Sequence, residues 1–207
     1  MPTSVFFDLP EEKRQTILNA AISEFAEFGY RSASTNAIVK KSEISKGSLF
    51  KYFENKEDLY FYILDRVTSD LLEGITKEIS CLSPELFQRV LDYSALEFSW
   101  YLRNPEKAKL IIGAFSTKET AVRQKTADRY AAKQAEILDQ LRNNIDSRNL
   151  RWDKQKTFGI LKWFLQGFNE DFRAGIPESG LPVEELCREY SRNLKEYLEM
   201  LKIGLVQ

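Results

Sequence analysis

The chain contains no histidine among its 207 residues. Histidine is the commonest general base and the commonest zinc ligand, so its absence excludes Ser/His catalytic triads and histidine-based metal sites. A hydrolase or lyase would then need a positioned carboxylate, lysine or tyrosine, and the acidic residues only alternate along predicted solvent faces. We therefore predict no catalytic residue, no metal site and no cofactor, and a protein that is not an enzyme.

Cysteines and long apolar runs are also scarce. Cys81 and Cys187 stand 106 positions apart, which favours two small core or near-core side chains over a redox pair or a metal cluster. No stretch approaches the roughly 18 to 20 uninterrupted apolar residues of a membrane span. The N-terminus lacks the basic and then apolar layout of a secretion signal. These absences predict a cytoplasmic protein without membrane contact.

What the sequence does contain is a local excess of positive charge. The net charge is only -1, which argues against nonspecific coating of nucleic acid. Between Ser34 and Lys56, however, five lysines against two acids leave a local charge of +3. A small basic surface on a mildly acidic body suits a protein that contacts DNA at one place.

Helical periodicity runs through almost the whole sequence, and no segment shows convincing alternation with period two. The first predicted helix, from about 9 to 28, starts at a capping box of Asp8 and Glu11 and ends at Gly29. Its apolar stripe comprises Leu18, Ala21, Phe25 and Phe28. The other predicted helices lie near 35–41, 46–53, from 55 onward, 84–102, 105–115, around Tyr130, 153–173 and 182–203. Ser34 or Thr35 would cap the first of these helices, and Ser45 would precede the second. The sequence thus predicts an all-α protein of about nine helices.

The helices near 35–41 and 46–53 are too short to bury their apolar faces alone. Ile38, Leu49 and Phe53 must therefore pack on the first helix and on one another. The three helices then form an N-terminal helix-turn-helix unit whose last helix faces outward. A helix held in this way lies in the major groove of DNA.

The outward helix has a surface that suits this role. Lys46, Gly47 and Ser48 occupy its first turn, where free backbone N–H groups and the positive end of the helix dipole favour a phosphate or a base edge. Gly47 lets the backbone come close to DNA, and Lys51 lies one turn further on the same face. Phe50 is open between packing and contact with a thymine methyl group or the sugar backbone.

Three flanking residues complete the predicted DNA-binding site. The ring of Tyr52 packs against the unit while its hydroxyl reaches a phosphate, and Thr35 can offer its hydroxyl in the same way. Lys56 starts the next helix, where a cation is poorly matched to the dipole and a bound phosphate would resolve the mismatch. The predicted DNA-binding residues are Thr35, Lys46, Gly47, Ser48, Phe50, Lys51, Tyr52 and Lys56.

The stretch TNAIVKKSEISKGSLFKYFENKEDLY, from Thr35 to Tyr60, resembles the DNA-binding signature of the tetracycline-repressor (TetR) family of regulators. The block SKGSLFKYF, the following NKEDL and the preceding FAEFGY match in order and spacing, and the resemblance covers roughly residues 10 to 62. One departure lies in the turn, where the family has a small residue and then glycine but this chain has Ser42 and Glu43. A non-glycine residue in a left-handed turn costs about 1 kcal/mol, so we expect slight strain and an intact module.

The resemblance implies an all-helical homodimeric transcription factor, usually a repressor, whose C-terminal domain binds a small molecule that releases the double-stranded DNA operator. On this pattern, residues 1–55 form the helix-turn-helix domain and residues 56–207 form the larger effector-binding and dimerisation domain. The residues by themselves predict DNA binding but not the sign of regulation.

The C-terminal part is rich in large aromatic residues, which line ligand pockets when a few polar groups accompany them. Glu97, beside Phe98 and Tyr101, would be the polar anchor of a cavity for an apolar or aromatic effector. Helical cores also contain aromatic rings, so each ring is open between core and pocket. The predicted ligand-binding residues are Glu97, Phe98, Tyr101, Phe115, Phe164 and Phe168.

Two predicted helices suggest a dimer interface. The helix near 153–173 carries glycines and a tryptophan along one side, and the final helix has more apolar stripe than an exposed helix tolerates. Pairing of both helices with their copies would give a four-helix interface, and ordinary packing within the chain is the alternative. The predicted interface residues are Gly159, Trp163, Gly167, Tyr190, Leu194 and Tyr197.

A second hypothesis comes from another functional class. The aromatic helical body could belong to an enzyme or a carrier of an apolar small molecule, whose N-terminal unit makes protein contacts. Turnover of a bound compound, together with a lack of DNA binding, would favour this hypothesis over the regulator.

Overall fold

Ten α-helices make up the regular structure of the described residues, which are 1–143, 145, 150–176 and 182–205 in a computed structural model. The helices are α1 (Ser4–Phe7), α2 (Glu11–Ser32), α3 (Thr35–Lys41), α4 (Lys46–Tyr52), α5 (Lys56–Ile79), α6 (Leu86–Arg103), α7 (Pro105–Ser116), α8 (Thr120–Arg142), α9 (Lys154–Ala174) and α10 (Val183–Leu205). The predicted all-α fold is confirmed, with one short helix more than expected. None of these described helices is long and apolar enough to cross a membrane.

The chain packs as two compact units. Unit 1 comprises Met1–Gly74 and Asn104–Gln134, and unit 2 comprises Ile75–Arg103 and Ala135–Gln207. The helices α5 and α8 contribute their first part to unit 1 and their last turns to unit 2. This division by packing is distinct from the functional boundary expected after residue 55, which stays a prediction.

Unit 1 is built around α2, which packs against α3 and α7, while α4 packs against α1 and α3. The apolar stripe of α5 repeats every three or four residues and is buried along its whole length in this unit. Burial of one such side chain stabilises the fold by about 1.5 to 3 kcal/mol. The buried stripe comprises Leu59, Ile63, Val67 and Leu71.

Polar side chains before the helices of unit 1 explain where those helices begin. Ser34 precedes α3, and its hydroxyl accepts a hydrogen bond from the Ala37 N–H at 3.4 Å. Asn55 precedes α5, and its side-chain oxygen accepts from the Asp58 N–H at 2.9 Å. Each bond satisfies a donor that has no partner within its own helix. These starts confirm the predicted ones, with Ser34 rather than Thr35 as the cap.

Gly29, which was predicted to end the first helix, breaks α2 near its end. Its φ of 67° and ψ of 176° lie in a region that essentially only glycine adopts. One further turn follows, in which the Ala33 N–H donates to the Gly29 carbonyl at 3.1 Å, before α3 begins. The residue before the break, Phe28, is 53% exposed, so the apolar stripe of α2 ends at Phe25 and the inclusion of Phe28 was wrong.

The first residues of the chain differ from the prediction. A helix of four residues, α1, precedes α2 and is too short to show helical periodicity in the sequence. The expected capping box is absent, because Asp8 follows α1 as its C-cap and Pro10 is the N-cap of α2. Glu11 instead pairs with Arg14 on the first turn of α2.

Unit 2 is organised around the contact of α6 with α10, and α9 also packs against α10. Cys187 is half-buried beside its core, as expected, whereas Cys81 is exposed, so the prediction of a core or near-core position for Cys81 was wrong. The buried core residues are Leu86, Phe87, Phe98, Leu161, Leu186, Tyr190, Leu194, Leu198 and Leu205.

The turn between α3 and α4 is a Schellman motif, in which the residue after the helix is left-handed. The Ile44 N–H donates to the Val39 carbonyl at 3.1 Å, and the Glu43 N–H donates to the Lys40 carbonyl at 3.4 Å. Glu43 has a φ of 53° in the position where glycine is usual. The strain expected from the absence of glycine in this turn therefore falls on Glu43.

Replacing Glu43 by glycine should raise the free energy of unfolding by about 0.5 to 1 kcal/mol, because the relief of left-handed strain exceeds the backbone entropy that glycine costs. Urea denaturation at a fixed protein concentration measures this change. Glu43→Ala is the control, since it removes the same charge but keeps Cβ. Equal stabilities of the Gly and Ala variants would contradict strain at this residue.

Candidate functional site

One face of α4 is anchored in unit 1 and the other is open. Leu49 and Phe53 are each only 1% exposed. Lys46, Gly47 and Lys51 are exposed. The two lysines and the glycine predicted to meet DNA therefore belong to the accessible part of the helix, and the two residues predicted as core are buried.

The first turn of α4 is closed by two serines. Ser45 is the N-cap, and its hydroxyl accepts a hydrogen bond from the Ser48 N–H at 3.0 Å. The hydroxyls of Ser45 and Ser48 lie 2.8 Å apart, so the hydroxyl of Ser48 already has a partner in the free protein. A Cβ atom at Gly47 would meet only the Ser45 hydroxyl, at 3.8 Å, which is ordinary contact. No contact among the described residues requires glycine at position 47.

The two aromatic residues of α4 have different surroundings. Phe50 is 40% exposed and is available for an external contact. Tyr52 is 7% exposed, and its ring centroid lies 5.9 Å from that of Phe6. The packing part of the role predicted for Tyr52 is therefore present, and a phosphate contact would have to use the small part of the side chain that stays accessible.

A buried carboxylate fixes the start of α3. Glu24 of α2 is 3% exposed, and its side chain accepts a hydrogen bond from the Ser34 N–H at 2.9 Å. Its second oxygen lies 3.6 Å from the Lys41 ammonium, so one carboxylate joins both ends of α3 to α2. Thr35, the first residue of α3, is partly exposed beside this arrangement.

Lys56 has a partner within the chain. Its ammonium donates to the Arg31 carbonyl at 3.0 Å and lies 5.1 Å from the centroid of the Tyr30 ring. Burial lowers the pKa of the Lys56 ammonium. The poor match between this cation and the start of α5 is thus offset by a carbonyl in the last turn of α2, and a phosphate contact of Lys56 stays a prediction.

The end of α4 is held by residues that the sequence reasoning missed. The Thr3 N–H donates to the Tyr52 carbonyl at 2.9 Å, and the Thr3 hydroxyl donates to the Lys51 carbonyl at 2.7 Å. The ring of Phe6 in α1 lies 5.0 Å from that of Phe53. The one available signal was the apolar run Val-Phe-Phe ahead of Pro10.

In unit 2, Glu97 and Tyr101 form a polar pair on α6. The Tyr101 hydroxyl donates to the Glu97 carboxylate at 3.2 Å. Glu97 is partly exposed, yet burial raises the pKa of its carboxyl group, while the Tyr101 hydroxyl and the charge of Arg173 act in the opposite direction. Burial, and then the Glu97 charge, raise the pKa of Tyr101. Glu97 and Tyr101 are therefore hydrogen-bonded to each other, and their role as the polar anchor of a ligand site stays a prediction.

Aromatic rings of α6, α9 and α10 pack against one another in unit 2. Phe98 stacks on Tyr190 with centroids 4.1 Å apart and an interplanar angle of 8°. Phe168 lies 5.3 Å from Tyr190 and 5.9 Å from Phe164, and the Tyr190 hydroxyl donates to Asn169 at 2.6 Å. With Phe98 only 6% exposed, this ring belongs to the core of unit 2 as much as to any ligand site.

Phe115 belongs to a different unit from the other predicted ligand residues. It lies on α7 in unit 1, where its ring centroid is 5.7 Å from that of Tyr130. A pocket of about 130 Å³ also opens in unit 1, and none of the predicted ligand residues lines it. The pocket is lined by Phe6, Phe7, Glu11, Arg14, Leu18, Tyr62 and Arg66.

The predicted dimer residues divide into two groups. Trp163 is 72% exposed and Tyr197 is 51% exposed, as an interface in the free protomer requires. Tyr190 and Leu194, at 1% and 0%, are buried inside unit 2 and have no surface left for a partner, so their assignment was wrong. Space is open around Gly159 and Gly167 on α9, where an added Cβ would meet nothing within 4 Å.

Residues 17–63 match the family model for bacterial regulatory proteins of the tetR family. The HTH-type transcriptional regulator UidR of Escherichia coli (strain K12) is 32% identical over 162 residues, which cover 72% of this chain and 79% of that protein. The chain belongs to the TetR family. The matched residues of the family model run from α2 into α5 and include all of α3 and α4.

Other relatives of this TetR-family chain match over shorter segments. The HTH-type transcriptional regulator HbdR of Aromatoleum sp. (strain CIB) is 32% identical over 75 residues, and the match covers 36% of this chain. It spans only 33% of the length of HbdR.

Solved structures agree in fold along almost the entire TetR-family chain. A TetR family transcriptional regulator from Chloroflexus aurantiacus J-10-FL has a TM-score of 0.70 and 23% identity, and the match covers 100% of this chain and 99% of that chain. FadR from Bacillus subtilis, solved in complex with stearoyl-CoA, has a TM-score of 0.65 and 16% identity over 87% of this chain and 96% of that chain.

The raised pKa of Glu97 predicts how stability varies with pH. Because the carboxyl binds its proton more tightly when folded, the stability that it contributes is present below about pH 4.5 and is lost as pH rises through the folded pKa. Glu97→Gln should therefore have a higher Tm than the unchanged chain at pH 7 to 8, and the difference should disappear near pH 4. Glu199→Gln, at an exposed position of α10, is the control. A lower Tm of Glu97→Gln at pH 8 would contradict a destabilising charge at Glu97.

Proposed function

We propose that this protein is a ligand-responsive DNA-binding transcriptional regulator, of the repressor type, that inserts α4 into the major groove of a near-palindromic operator. The observation that carries the proposal is the open face of α4, on which Lys46, Gly47 and Lys51 are exposed while Leu49 and Phe53 anchor the helix. Lysines on such a face neutralise phosphates, and an exposed glycine lets the backbone approach the duplex.

The contacts at the open face differ in what they contribute. Lys46 and Lys51 carry long exposed cations that can reach phosphates on either side of a groove. Ser48 sits between them with its hydroxyl already bonded to Ser45, so a base contact by Ser48 would exchange or share that bond. Phosphate contacts supply affinity for every duplex, whereas contacts to base edges supply sequence preference.

A homodimer supplies the second recognition helix that a near-palindromic operator requires. Half-sites lie one helical turn apart, about 34 to 36 Å, so two copies of α4 must be held at a defined separation. Exposed apolar side chains on α9 and α10 support a dimer surface, because isolated chains seldom expose so many large apolar groups together. They are Ile160, Trp163, Tyr197, Met200 and Ile203.

A small apolar or aromatic effector acts on unit 2, near the Glu97 and Tyr101 pair. The aromatic rings of α6, α9 and α10 would supply the apolar part of such a site, and the Glu97 carboxylate and the Tyr101 hydroxyl would supply the few polar groups that orient a ligand. FadR of Bacillus subtilis, which shares the fold, binds stearoyl-CoA, a molecule with a long apolar chain. An effector can release DNA only if its affinity differs between the operator-bound and free conformations.

Gly47→Ala tests the approach of α4 to DNA. The added methyl group fits the free protein and should leave thermal stability equal or slightly raised, since alanine favours helix over glycine. It should weaken operator binding at least about tenfold, or ~1.4 kcal/mol, by blocking the close approach of the backbone. Fluorescence anisotropy with an operator duplex, selected from genomic fragments by the purified protein, measures the affinity.

Gly113→Ala is the matched control, because Gly113 is another exposed helical glycine of unit 1 with nothing within 4 Å of an added Cβ. It should bind the operator like the unchanged chain. If a dimer neutralises about six phosphates, log affinity should fall with log salt at a slope of about -5. Unchanged operator affinity of Gly47→Ala, or an affinity independent of salt, would refute the proposed docking.

Charge placed on the exposed apolar side chains of α9 and α10 should disrupt the dimer. Trp163→Glu and Ile203→Glu should each raise the dimer dissociation constant at least about tenfold, because a buried unpaired carboxylate is costly. Sedimentation velocity at micromolar concentration measures the dissociation. Phe28→Glu, at a residue of unit 1 that is 53% exposed, should leave it unchanged. If all three substitutions changed the dimer dissociation constant equally, the exposed side chains of α9 and α10 would not form the interface.

A further inference from the structure

A buried arginine at the start of α6 donates its hydrogen bonds to main-chain oxygens of described residues in unit 2. Arg89 is 5% exposed. Its Nη1 donates to the Leu82 carbonyl at 3.0 Å and to the Ser83 carbonyl at 3.1 Å, and its Nη2 donates to the Ile79 carbonyl at 3.5 Å. These three carbonyls belong to the last residue of α5 and the turn that follows it.

The same guanidinium also binds the end of α8. Its Nε donates to the Leu141 carbonyl at 2.8 Å, and its Nη2 donates to the Gln140 carbonyl at 3.2 Å. A guanidinium has five N–H groups, so all of them are accounted for by five carbonyls. The last carbonyls of a helix have no partner within it and carry the negative end of its dipole. One buried cation therefore bonds two carbonyls at the end of α8 and, at the same time, the last residue of α5 with the turn that follows it.

The helix that carries Arg89 also carries the polar pair proposed to meet the effector. Glu97 and Tyr101 lie eight and twelve residues beyond Arg89 on α6. At 1.5 Å per residue these spacings correspond to about 12 and 18 Å along one helix. If an effector moved α6 at Glu97 and Tyr101, the same helix would also move at Arg89. The α5 helix, whose end Arg89 holds, begins at Lys56, four residues after the last residue of α4.

We infer that Arg89 is the positioning residue that joins the ends of α5 and α8 to α6, so that both helix ends follow α6 together. The inference rests on the proposed function for its regulatory meaning, since it names the residue through which an effector on α6 acts on α5. The joint, meaning the five hydrogen bonds that Arg89 donates near the ends of α5 and α8, lies within unit 2. It can be tested without DNA or effector.

Lysine cannot replace this arginine. Its ammonium has three donors at one point, whereas the planar guanidinium spreads five donors over two helix ends. Arg89→Lys keeps the positive charge but cannot bond both helix ends. It therefore tests whether the joint needs the guanidinium or only a buried cation. Arg89→Met removes both. Lys202→Met is the matched control, because it removes another cation of unit 2 that contacts the residues around the start of α6, Glu85 and Phe87.

Hydrogen exchange on the full-length chain gives the first readout. In Arg89→Lys and Arg89→Met, amides near residues 79–83 and residues 139–143 should exchange at least tenfold faster together, while α4 should be unchanged. Lys202→Met should change neither helix end. Faster exchange at only one end, or at neither, would overturn the joint. Should Arg89→Met fail to fold, Arg89→Lys carries the test alone.

The operator duplex gives the second readout, because coupling between two sites is reciprocal. Binding of the selected operator to the unchanged chain should slow exchange at both helix ends, and this response should be lost in Arg89→Lys although the duplex still binds. A response that persists in Arg89→Lys would overturn the transmission. If the unchanged chain binds no duplex, the proposed function fails instead, and the first readout still decides the joint.

Discussion

The open face of α4 depends on a seven-residue helix being held in place from outside, because a helix of this length is not stable alone. Ser45 satisfies a donor of its first turn, Thr3 satisfies the last two carbonyls, and Leu49 is buried between them. Each partner supplies what the helix cannot supply for itself. Lys46 and Lys51 on the outer face are not needed to hold the helix, so both can remain exposed to solvent.

Local signals were the part of the fold that the sequence could predict. Caps such as Ser34 and the break at Gly29 depend on the backbone within a few residues, which the sequence contains. The prediction that Tyr190 lies in the dimer interface was wrong because it depended on contacts far away in the sequence. A heptad stripe indicates only that one face of α10 is buried, and the same spacing arises whether the partner is another protomer or α6 of the same chain. The ring of Tyr190 in fact stacks on Phe98 of α6.

Charged residues show the same limit at the candidate site. Lys56 is an anomaly in the sequence, a cation at the start of a helix, and an external phosphate was the nearest explanation. The structure supplies the Arg31 carbonyl instead, which lies 25 positions away and could not be deduced from spacing. The role of the buried Glu24 in fixing α3 could not be predicted either, because it depends on the Ser34 N–H lying next to α2 in the folded chain. Long-range partners of polar groups were therefore the main information missing from the sequence.

Ion pairs elsewhere in unit 1 explain why nearby acids do not cancel the positive charge of the exposed lysines on α4. Four ion pairs join α7 and α8 to α2 and α5, and in each the acid lies on α2 or α5. They are Glu27 with Lys109, Glu57 with Lys125, Asp65 with Arg129 and Asp70 with Lys107. All are partly exposed, so each stabilises the fold by at most about 1 kcal/mol. Their larger effect is to neutralise these acids at close range, so that the acids do not offset the exposed Lys46 and Lys51 of α4. The attraction of these two lysines for phosphate can then extend over about one Debye length, ~8 to 10 Å.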